Sequence, residues 1–299
     1  MSEAIDFETE LAESADRVTV ALDALLPRAD GPEARLISAM RYAALGPGKR
    51  LRPFLTLNAA RMLGAGERAA LRVGCAVECV HAYSLIHDDL PCMDDDHLRR
   101  GRPTVHVAYD EATAILAGDA LQALAFEILA DPDTHPSGDV RARLVSGLAS
   151  AGGARGMAGG QMIDMSEESR GEADIGVITR LQRMKTGALI AYAVEAPGLL
   201  AGASHDVIKS LEGYAHDLGL IYQIVDDLLD VSGDAETTGK AVRKDARQGK
   251  ATFVSILGEA EARDRARRLG EQAKAHLDGF GDSAHMLECT VDFVLDRRN

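Results

Sequence analysis

The sequence predicts an all-α protein, and three observations carry that reading. Ala, Leu, Met and Glu are plentiful while aromatic residues make up only 4% and Trp is absent, a balance that favours helix over strand. Apolar residues recur at helical spacing through most of the chain, and no convincing strand alternation appears. A hydrophobic share of 46% over 299 residues is ample for a large core. No break is long enough for a domain linker, so residues 1–299 read as one domain of ten or more helices.

The elements follow in order. In 7–26 the residues Phe7, Leu11, Val18, Leu22 and Leu25 form one apolar stripe. Segments 34–45, 53–63, 69–87, 112–129 and 140–151 repeat the pattern, as do 174–196, 204–229, 251–280 and 283–295. Breaks fall at Gly31-Pro32, at Gly46-Pro47-Gly48, at Pro91, at Gly101 to Pro103, across 131–138 and across 233–239. The glycine-rich stretch 152–160 follows a helical pattern and lacks a phosphate-loop ending, so close helix packing accounts for it.

Charge narrows the function. The net charge of −14 disfavours broad binding to nucleic acid or anionic membranes. The acidic start lacks the order of a signal peptide, and no uncharged apolar run reaches the length of a membrane span. A cytoplasmic protein with no stable membrane anchor is expected. Cys75, Cys79, Cys92 and Cys289 show no zinc spacing and read as reduced, mostly buried thiols.

Two acidic clusters interrupt otherwise apolar helices: Asp88-Asp89 with Asp94-Asp95-Asp96, and Asp226-Asp227 with Asp230. On a helix, Gly219, Gln223, Asp226 and Asp230 share one stripe, with Gly219 leaving room for a ligand. His81, Ser84 and Asp88 likewise share a face, and Pro91 turns the chain so that Asp94 can return towards Asp88. Crowded carboxylates with all-oxygen donors suit Mg²⁺ or Mn²⁺ rather than zinc. An EF-hand loop is excluded, because its Gly and distant Glu are missing. Basic groups that could meet an anion interleave with these clusters: Lys49-Arg50 with Arg52, Arg99-Arg100 with Arg102, Lys185, and Lys240, Lys244 and Lys250.

The chain resembles the trans-prenyl diphosphate synthases, in particular the bacterial farnesyl type, over nearly its whole length. The motifs that carry this are Gly48 to Pro53, His81 to Pro91, Met93 to Asp96, Leu98 to Gly101, Gly160 to Asp164, Lys185-Thr186-Gly187, Gln223 to Asp230, and Gly249 to Thr252. The resemblance implies an isoprenoid synthase fold around a central cavity and a homodimer. It implies that Asp88, Asp94 and Asp226 ligate three Mg²⁺ ions on an allylic diphosphate, and that Asp89 and Asp230 support the metal site. Asp227 and Lys185 complete the catalytic set. Arg99, Lys185, Thr186, Gln223, Lys240 and Lys250 would contact the allylic diphosphate, either dimethylallyl or geranyl. Lys49, Arg52, His81 and Arg100 would hold isopentenyl diphosphate. Tyr83 and Ser84, one turn before the first motif, would set product length, with farnesyl diphosphate as the product; an ordinary core tyrosine is the alternative for Tyr83. His97 departs from the pattern, standing where close relatives often carry a fourth Asp.

The other readings are a geranylgeranyl or geranyl diphosphate synthase, a terpene cyclase, and a non-catalytic synthase subunit. A cyclase predicts a different second motif, and a regulatory subunit predicts damaged Asp motifs.

Overall fold

The computed structural model describes residues 6–168, 174–232 and 252–297. Among these it is all-α, with twelve α-helices of eight residues or more. The helices are α1 (Phe7–Leu25), α2 (Ala34–Ala44), α3 (Leu51–Leu63), α4 (Glu67–Asp88), short α5 (Val105–Ala108), α6 (Glu111–Ala130) and α7 (Gly138–Gly152). Then come α8 (Met157–Glu168), α9 (Ile175–Gln182), α10 (Ala188–Ala201), α11 (His205–Ser232), short α12 (Phe253–Leu257), α13 (Glu259–Ala275) and α14 (His285–Leu295).

The elements depart from the sequence expectation at several points. Segment 174–196 is interrupted by a π-helical turn at Arg183–Gly187. Segment 251–280 is not one helix: Gly258, at φ 79°, separates α12 from α13. A two-stranded hairpin, β1 (Leu98–Arg99) and β2 (Arg102–Pro103), was not foreseen, because strands of two residues show no alternation to read. Its turn residues, Arg100 and Gly101, have φ of 51° and 74°, the left-handed pair that a type I′ turn demands and that Gly supplies without strain.

The described residues form two compact units. The first takes the described residues up to 146 with 199–201, the second those within 147–198 and those from 202 onward. In the first, α4 packs against α3, α6, α1 and α2. Its apolar residues, among them Val73, Val77, Val80 and Ile86, are buried, as are Phe54 and Leu55 of α3 and Leu121 and Leu129 of α6. Asp110 caps α6 by accepting from Thr113 N–H at 2.7 Å, and together with the nearby Arg35 this holds its carboxyl at about 2. By length and composition α4 and α6 would each pass for a membrane span, although neither is an uncharged run: Arg72 and Glu78 lie in α4, Asp119 and Glu127 in α6, and 67% and 44% of their apolar stretches are buried. Cys75 and Cys79 lie in that core, whereas Cys92 is exposed and Cys289 only half-buried, so burial holds for two of the four thiols.

In the second unit α11 is the central helix. Leu220, Ile224 and Leu228 pack with Ile178, Phe253, Ala262 and Ala266 from α9, α12 and α13. The same helix sets up a pH dependence. Burial first, and then the charge of Glu212 on α11, raise the Glu195 carboxyl of α10 from 4.5 to about 7. A raised folded pKa contributes stability below pH 4.5 that is lost as pH climbs through about 7. Melting temperature should therefore fall across that window by a component that vanishes in Glu195→Gln. An unchanged pH profile in the variant would remove Glu195 as its source.

Candidate active site

In the first unit α4 delivers the first acidic motif. His81, Tyr83, Ser84 and Asp88 lie along its last two turns, and the helix ends at Asp88. The chain then folds back on itself. Met93 N–H donates to Leu90 O at 2.8 Å, Asp94 N–H to Asp88 O at 2.8 Å, and Asp95 N–H to Leu90 O at 3.1 Å. That turn holds the Asp88 and Asp94 backbones together and leaves both side chains half-buried. Asp89 faces the other way. It is buried and accepts from Arg99 Nε at 2.8 and 3.0 Å, with Arg99 Nη2 at 2.6 Å. Burial works against the Arg99 charge, but the bonds to Asp89 outweigh it and raise its pKa. Here Arg99 is tied to a carboxylate, where the sequence assigned it to a diphosphate.

A cationic cluster forms in the same unit. Arg52 Nη1 lies 3.4 Å from His81 Nε2, and Arg100 Nη1 donates to Pro47 O at 2.5 Å, packed against Gly48. Lys49 is exposed beside them. Burial, reinforced by Arg52, Arg100, Arg99 and Arg50, lowers the His81 pKa well below its usual value. His81 is therefore a neutral hydrogen-bonding group at neutral pH, not a further cation. Arg50 does not join this surface. Its side chain is buried, with Nη1 2.6 Å from Glu78 and Nη2 donating at 2.7 Å to both Ala44 O and Gly46 O. It clamps the turn that carries Lys49 and leads into α3, where Arg52 stands. Sequence reading missed this role, though a glutamate inside the apolar run of α4 was its signal.

Tyr83 is buried between α4 and α6. Its ring meets His87 edge-on at 5.7 Å, and its hydroxyl bonds Gln122. The His87 ring in turn fills the space over Gly118, with Nε2 3.1 Å from Ile115 O. Ser84 donates to His81 O at 2.9 Å.

The second unit holds the other motif on α11. Asp226 and Asp230 fall one turn apart on the helix, the first with 51% of its side chain exposed. Asp227 points elsewhere: it is buried, and its Oδ2 accepts from Phe253 N–H at 2.8 Å. It thus anchors the start of α12. Gln223 accepts from Thr186 Oγ1 at 2.8 Å, and Lys185 Nζ bonds Asp164 of α8 at 2.6 Å. Both partners come from the π-helical turn, a local irregularity frequent at functional sites. Helix α8 itself was missed, since four residues at its start include two glycines. Those glycines confirm the packing explanation: a Cβ at Gly160 would collide with the Lys185 backbone. Gly219 needs correcting on the same ground. A Cβ there would sit 3.1 Å from Gly187 Cα, so this glycine admits the π turn rather than a ligand. Arg297, not foreseen, lies over the Tyr222 ring at 4.5 Å with Nη2 3.5 Å from Asp226. Lys240 and Lys250 lie outside the described residues.

The sequence profile of the family described as polyprenyl synthetase matches residues 33–285, across both units. The chain belongs to the polyprenyl synthetase family. Like the members it resembles, this polyprenyl synthetase is a prenyltransferase with the isoprenoid synthase fold. It is 42% identical to a farnesyl diphosphate synthase of Escherichia coli, covering 98% of this chain and 99% of that one. It is 37% identical to geranylgeranyl pyrophosphate synthase 4 of Arabidopsis thaliana, covering 98% of this chain and 79% of that one. Its structure matches the apo crystal structure of an FPP/GFPP synthase from Zymomonas mobilis with a TM-score of 0.89, at 45% identity, covering 97% and 98% of the two chains.

A divalent cation suits the donors of this polyprenyl synthetase. Asp88 with Asp94, and Asp226 with Asp230, offer only carboxylate oxygens, closely spaced along the chain and at least partly open to solvent. Such hard donors select Mg²⁺ or Mn²⁺.

Proposed function

We propose that this polyprenyl synthetase condenses isopentenyl diphosphate with dimethylallyl and then geranyl diphosphate, releasing farnesyl diphosphate. The observation that carries the reading is the turn that ties Asp94 to Asp88 at the end of α4, flanked in the same unit by Lys49, Arg52, His81 and Arg100. An anionic substrate is met by cations that the fold has already placed.

Asp88, Asp94 and Asp226 would hold Mg²⁺, with three ions expected once diphosphate is bound. When bound, the metal withdraws charge from the allylic diphosphate so that its C–O bond can ionise. Lys185, Thr186 and Gln223 orient that diphosphate, with Lys240 and Lys250 assigned to the same task. Lys185 already carries its charge beside Asp164, and the Thr186–Gln223 bond fixes both polar ends. Lys49, Arg52 and Arg100 hold the diphosphate of isopentenyl diphosphate, and neutral His81 adds a hydrogen bond. Held near the allylic carbon, the double bond of isopentenyl diphosphate attacks it and the new C–C bond forms. The resulting cation loses a proton to the departing diphosphate, and the double bond is restored. No protein nucleophile takes part.

A homodimer in the cytoplasm completes the proposal. Its support is apolar surface in the first unit, where Ile115 and Leu116 of α6 are exposed, as are Leu98 and Val107.

Product length tests the reading. Incubation with isopentenyl and dimethylallyl diphosphates should give a dominant C15 product by chromatography; a dominant C10 or C20 product would overturn the assignment. Tyr83, about 7.5 Å before Asp88 along α4, is braced by His87 and Gln122 and serves as the floor. Tyr83→Ala should shift the main product to C20 or longer, at a stability cost of about 3–5 kcal/mol for the buried ring. An unchanged product profile would return Tyr83 to the role of a core residue.

A further inference from the structure

The β1–β2 hairpin brings together three side chains that the proposed reaction does not use. One ligand atom from each of Asp95, His97 and His106 lies within 4.8 Å of the other two. The arrangement is built by the backbone. Asp95 stands in the left-handed region at φ 52°, where the chain turns towards the hairpin. His97 and Thr104 flank the hairpin ends, and Thr104 N–H donates to His97 O at 3.0 Å. One residue beyond Thr104, α5 begins and places His106 so that its ring meets His97 edge-on at 6.0 Å. Buried Thr104 also fixes the second imidazole, its Oγ1 being 3.1 Å from His106 Nδ1. The tautomer in which Nδ1–H donates to Thr104 leaves the Nε2 lone pair free for a metal. His97 Nε2 and Asp95 Oδ1 are 3.7 Å apart, too far for a hydrogen bond.

We infer that Asp95, His97 and His106 form a site for a borderline divalent cation of the Zn²⁺, Co²⁺ or Ni²⁺ type, distinct from the oxygen-only motif beside it. Two imidazoles and one carboxylate select such ions over Mg²⁺. Bond lengths of about 2.0–2.1 Å put tetrahedral ligand atoms about 3.3 Å apart. The site must therefore tighten by up to about 1.5 Å, which exposed side chains can do: His97 is 72% and Asp95 60% exposed. Water completes the coordination on the open side.

Co²⁺ reports its ligands by its absorption spectrum, independently of turnover. The untagged full chain, in millimolar Mg²⁺, should bind Co²⁺ stoichiometrically with imidazole-type bands, and Zn²⁺ should displace it. His97→Ala and His106→Ala should each weaken binding at least about 10-fold, while Asp88→Ala and Asp226→Ala should leave it intact. His97 is exposed, so its variant should fold even if the His106 variant does not. Absence of Co²⁺ binding, binding unchanged in His97→Ala, or binding lost in Asp88→Ala would each overturn the site. The last outcome would place the ion on the first acidic motif instead.

Discussion

Asp88→Ala and Asp226→Ala are each expected to lower turnover of isopentenyl and geranyl diphosphate by at least about 10³-fold, the scale set by losing one strong electrostatic contact to the leaving group. Neither change should harm the fold. Asp88 is the last residue of α4, at the negative end of the helix dipole, where a carboxylate is disfavoured by about 0.3–1 kcal/mol. Its removal should leave the melting temperature unchanged or slightly raised. Asp226 is half-exposed and faces Arg297, itself only 13% exposed, at 3.5 Å, so its removal should lower the melting temperature modestly while the chain still folds. Turnover within 10-fold of the parent in either folded variant would remove that residue from the metal role. A melting temperature that collapsed with activity would instead make the carboxylate structural.

Helical period made most of the fold legible, because burial on one face of a helix imposes a spacing that sequence displays directly. What escaped it had no period to show. The hairpin at 98–103 is a matter of two left-handed residues, Arg100 and Gly101. Helix α8 starts in glycines whose reason is the backbone of Lys185, residues away in sequence. The site divides similarly. Spacing alone put Asp226 and Asp230 on one face, and Pro91 foretold the return of Asp94. Which way an individual carboxylate turns depends on partners from elsewhere. Asp89 turns to Arg99 and Asp227 to the Phe253 N–H, and nothing local in either acidic run separates them from their neighbours.

Arg50 shows the same limit with a larger consequence, for within Lys49 to Arg52 it looks like one more surface cation. It and Glu78 each retain only 4% side-chain exposure and are joined at 2.6 Å. Glu78→Ala would leave the guanidinium buried against two carbonyls, with no counter-charge. Breaking a buried pair in this way costs about 3–5 kcal/mol, a fall in melting temperature on the order of 10 °C. Exchanging both residues for apolar ones, Arg50→Met with Glu78→Leu, should recover most of that loss, since a buried ion pair adds little over packed hydrophobes. Function should not recover with it. The two bonds from Arg50 to Ala44 O and Gly46 O would still be gone, and they hold the turn that carries Lys49 and enters α3 just before Arg52. The double variant should therefore melt near the parent while its KM for isopentenyl diphosphate stays several-fold raised and that for geranyl diphosphate does not. Parental KM values would show that the pair serves stability alone. A double variant as unstable as Glu78→Ala would show that the site cannot be repacked.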